Sequence, residues 1–82
     1  MDELEMLGIR MYPNPSFGEI TLQAGDDQIE QVRIFDAAGR LVYDLQSNET
    51  KMTIDLSTVS PGMYMVEIRT QDGQGRAQLI RQ

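Results

Sequence analysis

Apolar and polar residues alternate with a period of two along most of the chain, a pattern typical of strands that bury one face. In the run "GMYMVEIRT", for example, Tyr64, Val66 and Ile68 fall on the same face. Seven such runs are separated by turn residues, and they span residues 8–12, 18–23, 29–36, 40–46, 51–56, 62–70 and 76–82. Because each strand has an apolar face to bury and only a second sheet can cover it, we predict an all-β antiparallel sandwich of about seven short strands.

A short hairpin is predicted at "DAAG" (36–39), which separates two of the alternating runs. Gly39 is expected in the left-handed conformation that ends a type I turn and starts a bulge. In the run that follows, the alternation predicts that Leu41, Tyr43 and Leu45 share one face of the sheet.

The last part of the chain is predicted to be a turn, "QDGQG" (71–75), followed by a strand, "RAQLIRQ" (76–82). The pattern assigns no face within this strand, because Leu79 and Ile80 are adjacent and point in opposite directions.

Two of the three prolines enclose one asparagine in "YPNPSFG" (12–18). Pro13 and Pro15 each fix their own φ and push the preceding residue out of the helical region, so we expect this segment to run extended. Gly18 is expected to supply a positive φ before the next strand. We therefore predict a stiff turn that protects a sheet edge from pairing with another chain.

The length of 82 residues allows one small domain and excludes a second. With 40% hydrophobic and 24% charged residues the composition is that of a globular chain, and the absence of cysteine removes disulfides and thiolate chemistry. The opening "MDELEMLG" lacks the positive region and apolar stretch of a signal peptide. We therefore expect an upstream segment of a longer precursor to direct any export.

The net charge of −6 argues against nucleic acid as a partner. Phosphate backbones are bound by clustered Lys and Arg side chains, whereas the seven basic residues of this chain are scattered. We therefore expect no nucleic-acid binding.

Catalysis is not expected either. Histidine and cysteine are both absent, which removes the usual general base near neutral pH and most transition-metal ligands. The carboxylates that remain as candidates are Asp26, Asp27, Asp36, Asp44, Asp55 and Glu67. Carboxylates on the turns of an acidic β domain are usually solvated. "GDDQIE" (25–30) offers oxygen ligands for Ca²⁺, but it lacks the spacing of an EF-hand, so we favour a solvated turn and predict no metal and no cofactor.

Four blocks occur together in one order: "YPNPSFG" (12–18), "VRIFDAAGRLVY" (32–43), "TIDLSTVSPGMYMVEI" (53–68) and "AQLIRQ" (77–82). In this order and spacing they resemble the type A C-terminal sorting domain of the type IX secretion system of Bacteroidetes. The resemblance implies an immunoglobulin-like β-sandwich, in agreement with the strand count. It further implies that residues 9–82 are the sorting domain and residues 1–8 the remnant of a linker from an upstream cargo.

The function implied by this resemblance is that of a targeting signal. A cargo protein in the same precursor would cross the inner membrane by its own signal peptide and reach the periplasm. The outer-membrane translocon and its shuttle components would then recognise the sorting domain, and a cell-surface sortase would remove it and anchor the cargo. The expected destination of the cargo is the cell surface or the medium.

The resemblance also assigns candidate recognition residues. The motif positions of the family fall on Pro13, Asn14, Pro15, Gly18, Gly39, Arg40, Gly62, Tyr64, Leu79, Ile80 and Arg81. The family often ends in lysine, whereas this chain ends in Arg81 and Gln82, and arginine keeps the positive charge without the geometry of an ammonium. We expect residues 76–82 to lie at an accessible sheet edge and to be read by strand addition.

Two alternatives remain open from the residues alone. A carbohydrate-binding accessory domain would need exposed aromatic platforms, for which two Phe, three Tyr and no Trp are a poor supply. A structural immunoglobulin-like spacer is expected to continue beyond its last strand. The last predicted strand is followed by no further segment here, so we expect the sorting role rather than the spacer role. In either case the free edges of a small sandwich would allow an edge-strand homodimer.

Overall fold

Seven strands form two antiparallel sheets in the computed structural model, which describes residues 3–82. The strands are β1 (Arg10–Tyr12), β2 (Glu19–Gln23), β3 (Ile29–Asp36), β4 (Leu41–Glu49), β5 (Lys51–Asp55), β6 (Gly62–Thr70) and β7 (Gly73–Arg81). One turn of helix, α1 (Glu3–Met6), precedes them. The prediction of an all-β fold with seven strands is confirmed.

The two sheets differ in size. The smaller sheet has the order β1-β2-β5 and the larger sheet the order β4-β3-β6-β7, and every pairing between these strands is antiparallel. β4 and β7 are therefore the edges of the larger sheet. Within residues 3–82, no helix has the length and apolar character needed to cross a membrane.

The core lies between the two sheets and is built from alternate residues of the strands. The smaller sheet contributes Ile20, Leu22 and Ile54, and the larger sheet contributes Val32, Ile34, Val66, Ile68 and Leu79. All of these side chains are buried. Their spacing by two residues along each strand is the alternation that the sequence shows, and it confirms the predicted sandwich.

The predicted face of Leu41 is wrong because of a bulge. Ile34 of β3 pairs with Tyr43, but the next residue, Phe35, pairs with Leu41, so that Val42 is an extra residue in β4. One extra residue reverses the alternation. Tyr43 therefore packs against the core as predicted, whereas Leu41 lies on the outer face and is 46% exposed.

The last strand begins earlier than predicted. Thr70 pairs with Gly73, so the turn consists only of Gln71 and Asp72 and not of residues 71–75. The reason is that pairing with β6 outweighs the low strand propensity of glycine. The face left open by the sequence is also assigned, since Leu79 is fully buried and Ile80 lies on the outer face.

The segment before β1 also contributes to the core. Leu4 of α1 is 2% exposed, and its carbonyl accepts a hydrogen bond from Ile9 N–H at 2.8 Å. α1 packs against β7. The boundary between residues 8 and 9, at which the linker from the cargo is expected to end, stays a prediction. Leu4 lies upstream of this boundary but packs with the domain.

This packing can be tested by comparing two residues of α1. Leu4→Ala should lower the free energy of unfolding by about 2 kcal/mol or more, because it removes a buried side chain and leaves a cavity. Met6→Ala should change it by less than about 0.5 kcal/mol, since Met6 is 73% exposed. Urea unfolding of both variants would measure the difference, and equal effects would contradict the placement of Leu4 in the core.

Candidate functional site

The motif residues that are far apart in the sequence meet at one end of the sandwich. We call this end the motif pole; it consists of residues 13–18, 36–40, 56–62 and 79–82. Strand register brings the last three segments together, since Asp36 pairs with Tyr64, Tyr64 with Leu79, and Gly62 with Arg81. The first segment joins them through a hydrogen bond of 2.6 Å from Leu56 N–H to the carbonyl of Gly18.

The segment that contains the two prolines is bound to the edge of β7. The side chain of Asn14 donates to the carbonyl of Gln78 at 2.9 Å and accepts from the N–H of Ile80 at 3.1 Å. The main chain of Ser16 donates to the carbonyl of Ile80 at 2.8 Å and accepts from the N–H of Gln82 at 2.7 Å. The first and last sequence blocks are thus direct partners in the fold.

These contacts correct two expectations from the sequence. The segment bends at residues 13–15 instead of running extended, and the peptide bonds before Pro13 and Pro15 are both cis. The bend brings Asn14 against β7. The edge of β7 is therefore covered near its end by the chain itself and is not freely accessible there.

Ser16 holds this turn together, although the sequence reasoning did not select it. Its side chain is fully buried, and its Oγ donates to the carbonyl of Glu19 at 2.8 Å and accepts from the N–H of Gly18 at 3.2 Å. With this support Gly18 does not adopt a positive φ, contrary to expectation. The sequence signal was a serine two residues before a glycine, the arrangement of a serine turn. Phe17 between them is 77% exposed at the motif pole.

The hairpin between β3 and β4 has the conformation that the sequence predicts. Gly39 has a φ of +86°, and its N–H donates to the carbonyl of Asp36 at 2.9 Å. The carboxylate of Asp36 accepts from the N–H groups of Arg40 at 2.9 Å and Ala38 at 3.0 Å. It also pairs with Arg40 Nε at 3.0 Å. Asp36 is thus the residue that organises the hairpin, and Arg40 extends from it with 80% of its side chain exposed.

These contacts also set the ionisation of Asp36. The hydrogen bond from Arg40 N–H, followed by the one from Ala38 and the charge of Arg40, lowers the pKa of Asp36 below its ordinary value of 3.8. The hairpin therefore stabilises the charged form of the carboxylate, which is the form that accepts these hydrogen bonds.

Tyr64 has a structural position in the motif pole. It is 7% exposed, and its hydroxyl donates to the carbonyl of Ser60, which fixes the loop between β5 and β6. Gly62 in the same loop has a φ of +154°. A groove of about 470 Å³ separates this loop from the hairpin, and it is lined in part by Arg40, Pro61 and Gly62.

Arg81 connects the end of β7 to the smaller sheet. Its Nε donates to the carbonyl of Leu56 at 3.1 Å. Asp55 lies close by, and its pKa is lowered by hydrogen bonds from the side chain and N–H of Ser57 and, less strongly, by the charge of Arg81. Arg81 is only partly exposed because of these contacts.

The predicted recognition residues therefore divide into three groups. Tyr64 and Leu79 are buried and shape the pole, and Gly18 and Arg81 are partly buried. The members that lie at the surface are Pro13, Asn14, Pro15, Gly39, Arg40, Gly62 and Ile80.

Apolar side chains continue from the motif pole onto the outer face of the larger sheet. Met63, Met65, Ile80 and Leu41 are each more than a third exposed, at 49, 37, 44 and 46% respectively. The next row of that face carries Arg33, Glu67 and Arg76, in which Glu67 forms ion pairs with both arginines. The outer face thus has an apolar row next to a charged row.

The acidic turn that the sequence raised as an alternative lies at the other end of the sandwich. Asp27 shares a hydrogen bond with the side chain of Asp72, which raises the pKa of Asp27, and the charges of Asp72 and Asp26 add to this effect. Among residues 3–82, no group of three or more acidic side chains is placed to hold a metal ion.

Comparison with known proteins identifies the family. The profile of the secretion system C-terminal sorting domain matches residues 10–82. The chain belongs to this family. The sorting domain is also similar to the ulvan lyase NLR42 of Nonlabens ulvanivorans, with 29% identity over 75 residues. That match covers 90% of this chain but only 14% of the lyase, so the sorting domain spans a small part of the length of its relative.

A solved structure supports the fold of the sorting domain. It is a DUF3244 family protein from Bacteroides vulgatus with an immunoglobulin-like β-sandwich fold, and it aligns with a TM-score of 0.69 at 21% identity. The alignment covers 95% of the sorting domain and 90% of that chain. The immunoglobulin-like fold implied by the motifs is confirmed, as is the membership in the type IX secretion family.

The family defines the role of the sorting domain in general terms. It is a C-terminal signal for secretion of a cargo protein, and the signal domain itself is non-catalytic. The cargo that carries such a signal is secreted or displayed at the cell surface.

The conformation of the hairpin can be tested with two glycine variants of the sorting domain. Gly39→Ala should lower the free energy of unfolding by about 1–2 kcal/mol, because an L-residue is strained in the left-handed region. Gly18→Ala should cost less than about 0.5 kcal/mol, since Gly18 has no positive φ and a Cβ there would be 4.0 Å from Ser57. Urea unfolding compares the two variants, and an equal loss would show that the positive φ is not what Gly39 supplies.

The ionisation of Asp55 provides a test of the contacts at the end of β7. Its pKa should be below 3.8 in the folded domain, as measured by NMR titration of the carboxyl group. Ser57→Ala should move the pKa upward by more than Arg81→Gln does, because the Ser57 hydroxyl makes the larger contribution.

The effect of Asp55 on stability follows from the same direction. A carboxyl whose pKa is lowered on folding stabilises the folded state above its unfolded value of 3.8. The stabilisation disappears as the pH falls through the lower folded value. Acidification below pH 3.8 should therefore lower the free energy of unfolding of the wild type more than that of the Ser57→Ala variant. An unshifted or raised pKa of Asp55 would refute the assignment.

Proposed function

We propose that the outer-membrane translocon of the type IX system, with its shuttle components, recognises this sorting domain at the motif pole. A cell-surface sortase then removes the domain and anchors the cargo. The observation that carries the proposal is the convergence of the four sequence blocks at one end of the sandwich. Asn14 of the first block bonds to Gln78 and Ile80 of the last block, which lie 64 and 66 positions later in the chain. A receptor can read these blocks as one surface only because the fold brings them together.

Arg40 and Ile80, both exposed at the motif pole, are the proposed contacts. Arg40 presents a guanidinium whose partner, Asp36, holds it at the mouth of the groove beside Gly62. Ile80 presents an apolar side chain next to Met63, its register partner on β6. Arginine and apolar side chains of this kind are common anchors in protein interfaces. Tyr64 and Leu79 contribute indirectly by holding the pole in shape.

Self-association through a sheet edge is also limited by the fold. The end of β7 is covered by Asn14 and Ser16, and β1 and β5 have only three and five residues. β4 is therefore the longest edge strand that the turn does not cover, and the bulge at Val42 interrupts its regular edge.

The alternative of a carbohydrate-binding or spacer domain receives less support. A sugar site needs aromatic rings grouped in one place. Among the described residues, the exposed aromatic side chains are Phe17 at 77% and Tyr12 at 37%. Tyr12 ends β1, and Phe17 lies in the turn that follows β1. The family match favours the sorting role over both alternatives.

The test is export of a fluorescent reporter that carries a signal peptide in front and residues 1–82 behind. In a Bacteroidetes strain, fluorescence should appear at the surface or in the medium only when the type IX translocon is functional. Removal of residues 78–82 should abolish this export. Reporter that is retained in the periplasm of both strains would refute the proposal.

A pair of point variants keeps this test independent of folding, because the deletion removes the buried Leu79. Arg40→Ala at the motif pole should reduce export severalfold, which corresponds to loss of about 1 kcal/mol or more of binding free energy. Lys51→Ala removes an exposed cation at the opposite end and should leave export unchanged. Equal export of both variants would exclude Arg40 from the contact.

A further inference from the structure

The outer edge of β7 carries the main-chain groups that a pairing strand would use. In an antiparallel ladder, alternate residues direct their N–H and C=O groups to opposite neighbours. Gly75, Ala77 and Leu79 are buried residues of the core face, and Gln78 and Ile80 direct main-chain groups away from β6. Strand addition by a receptor would take place along this outer edge.

This edge is already occupied at the end of the strand. Asn14 bonds to the carbonyl of Gln78 and the N–H of Ile80, and Ser16 bonds to the carbonyl of Ile80 and the N–H of Gln82. These four hydrogen bonds use consecutive pairing groups of the edge. The segment of residues 14–16 therefore stands where a receptor strand would lie, and we call it the edge cover.

The edge cover is attached more weakly than a strand of the sheet. Only Ser16 pairs through its main chain, and it does so as an isolated parallel bridge to Arg81, whereas β6 and β7 are paired at nine positions. Pro13 and Pro15 have no N–H with which to extend the pairing. Asn14 is exposed, so water can replace its side-chain hydrogen bonds.

Release of the cover is compatible with the packing of the rest of the fold. Pro13, Asn14 and Pro15 are all exposed. Ser16 is buried, but its side chain bonds to Glu19 and Gly18 within its own turn, so only its main-chain bonds to β7 have to break. The flanking strands are held by other contacts, since Met11 pairs with Leu22, and Tyr12 with Thr21. Opening would thus break the contacts at β7 without separating the two sheets.

We propose that the edge cover is removable, and that a receptor strand can pair with residues 78–82 only after Asn14 and Ser16 have left the edge of β7. This inference rests on the proposed function, in which the translocon reads the last strand. It adds that the folded domain is in a masked state and that opening of the cover controls the fraction of molecules able to bind. The partner is a protein that presents an extended strand.

The first measurement is residue-specific amide hydrogen exchange by NMR on residues 1–82. Asn14→Ala removes the acceptor for Ile80 N–H, so this amide should exchange roughly two- to tenfold faster. The amide of Leu79, which pairs with Tyr64 within the sheet, should be unaffected. Asn48→Ala, at an exposed asparagine of β4, is the matched control and should change neither rate.

The second measurement is translocon-dependent export of the fluorescent reporter with the same variants. Asn14→Ala should increase the initial rate of export by up to the same factor, roughly two- to tenfold. The reason is that the apparent affinity of the receptor is proportional to the fraction of domains whose β7 edge is open. Asn14→Asp keeps an acceptor for Ile80 but loses the donor to Gln78, so both rates should be intermediate. It also provides a second readout if Asn14→Ala does not fold.

The outcomes separate this inference from the proposed function. Faster exchange at Ile80 together with faster export supports the cover. Faster exchange with unchanged or reduced export overturns it, and reduced export assigns Asn14 to direct recognition instead. Unchanged exchange at Ile80 also overturns it, because Asn14 then does not hold the edge. Failure of the proposed function would be visible separately, as wild-type export that does not depend on the translocon.

Discussion

The fold depends on the burial of two apolar sheet faces against each other. In a chain of this size the core is a single layer between the sheets, and alternate positions of nearly every strand are committed to it. The residues that do not fit this alternation, the prolines, glycines and turn-forming polar residues, collect where the strands end. The motif pole is one of these ends, so the same constraint that stabilises the sandwich also gathers the motif residues in one place.

A second contact links the two sheets at their edges. The segment between β1 and β2 belongs to the smaller sheet, yet Asn14 and Ser16 bond to β7, the edge of the larger one. In the opposite direction, Arg81 of β7 donates a hydrogen bond to the carbonyl of Leu56, the residue that follows β5. These contacts close one side of the sandwich and use groups that would otherwise be available for pairing with another chain. The sequence suggested that the prolines protect a sheet edge from pairing with another chain. In the fold, Asn14 and Ser16 beside them do most of this.

The sequence allowed the strands, the sandwich and the hairpin at Gly39 to be predicted, because these depend on local alternation and on the conformational freedom of one residue. The features that it did not reveal depend on distant partners. The bulge at Val42 is defined by the pairing with β3, and the early start of β7 at Gly73 by the pairing with β6. The contact of Asn14 with β7 joins residues more than sixty positions apart, and no local pattern encodes such a contact.

The division of the motif residues into buried and exposed positions connects the proposed recognition to the fold. Tyr64 and Leu79 are buried and Gly39 has a positive φ, so these positions maintain the geometry of the pole. Arg40 and Ile80 are exposed, but their relative positions depend on the register of β3, β6 and β7. A motif residue can therefore be required for sorting without touching a receptor. A receptor contact is shown when a variant loses export but keeps its stability, so each variant needs both measurements.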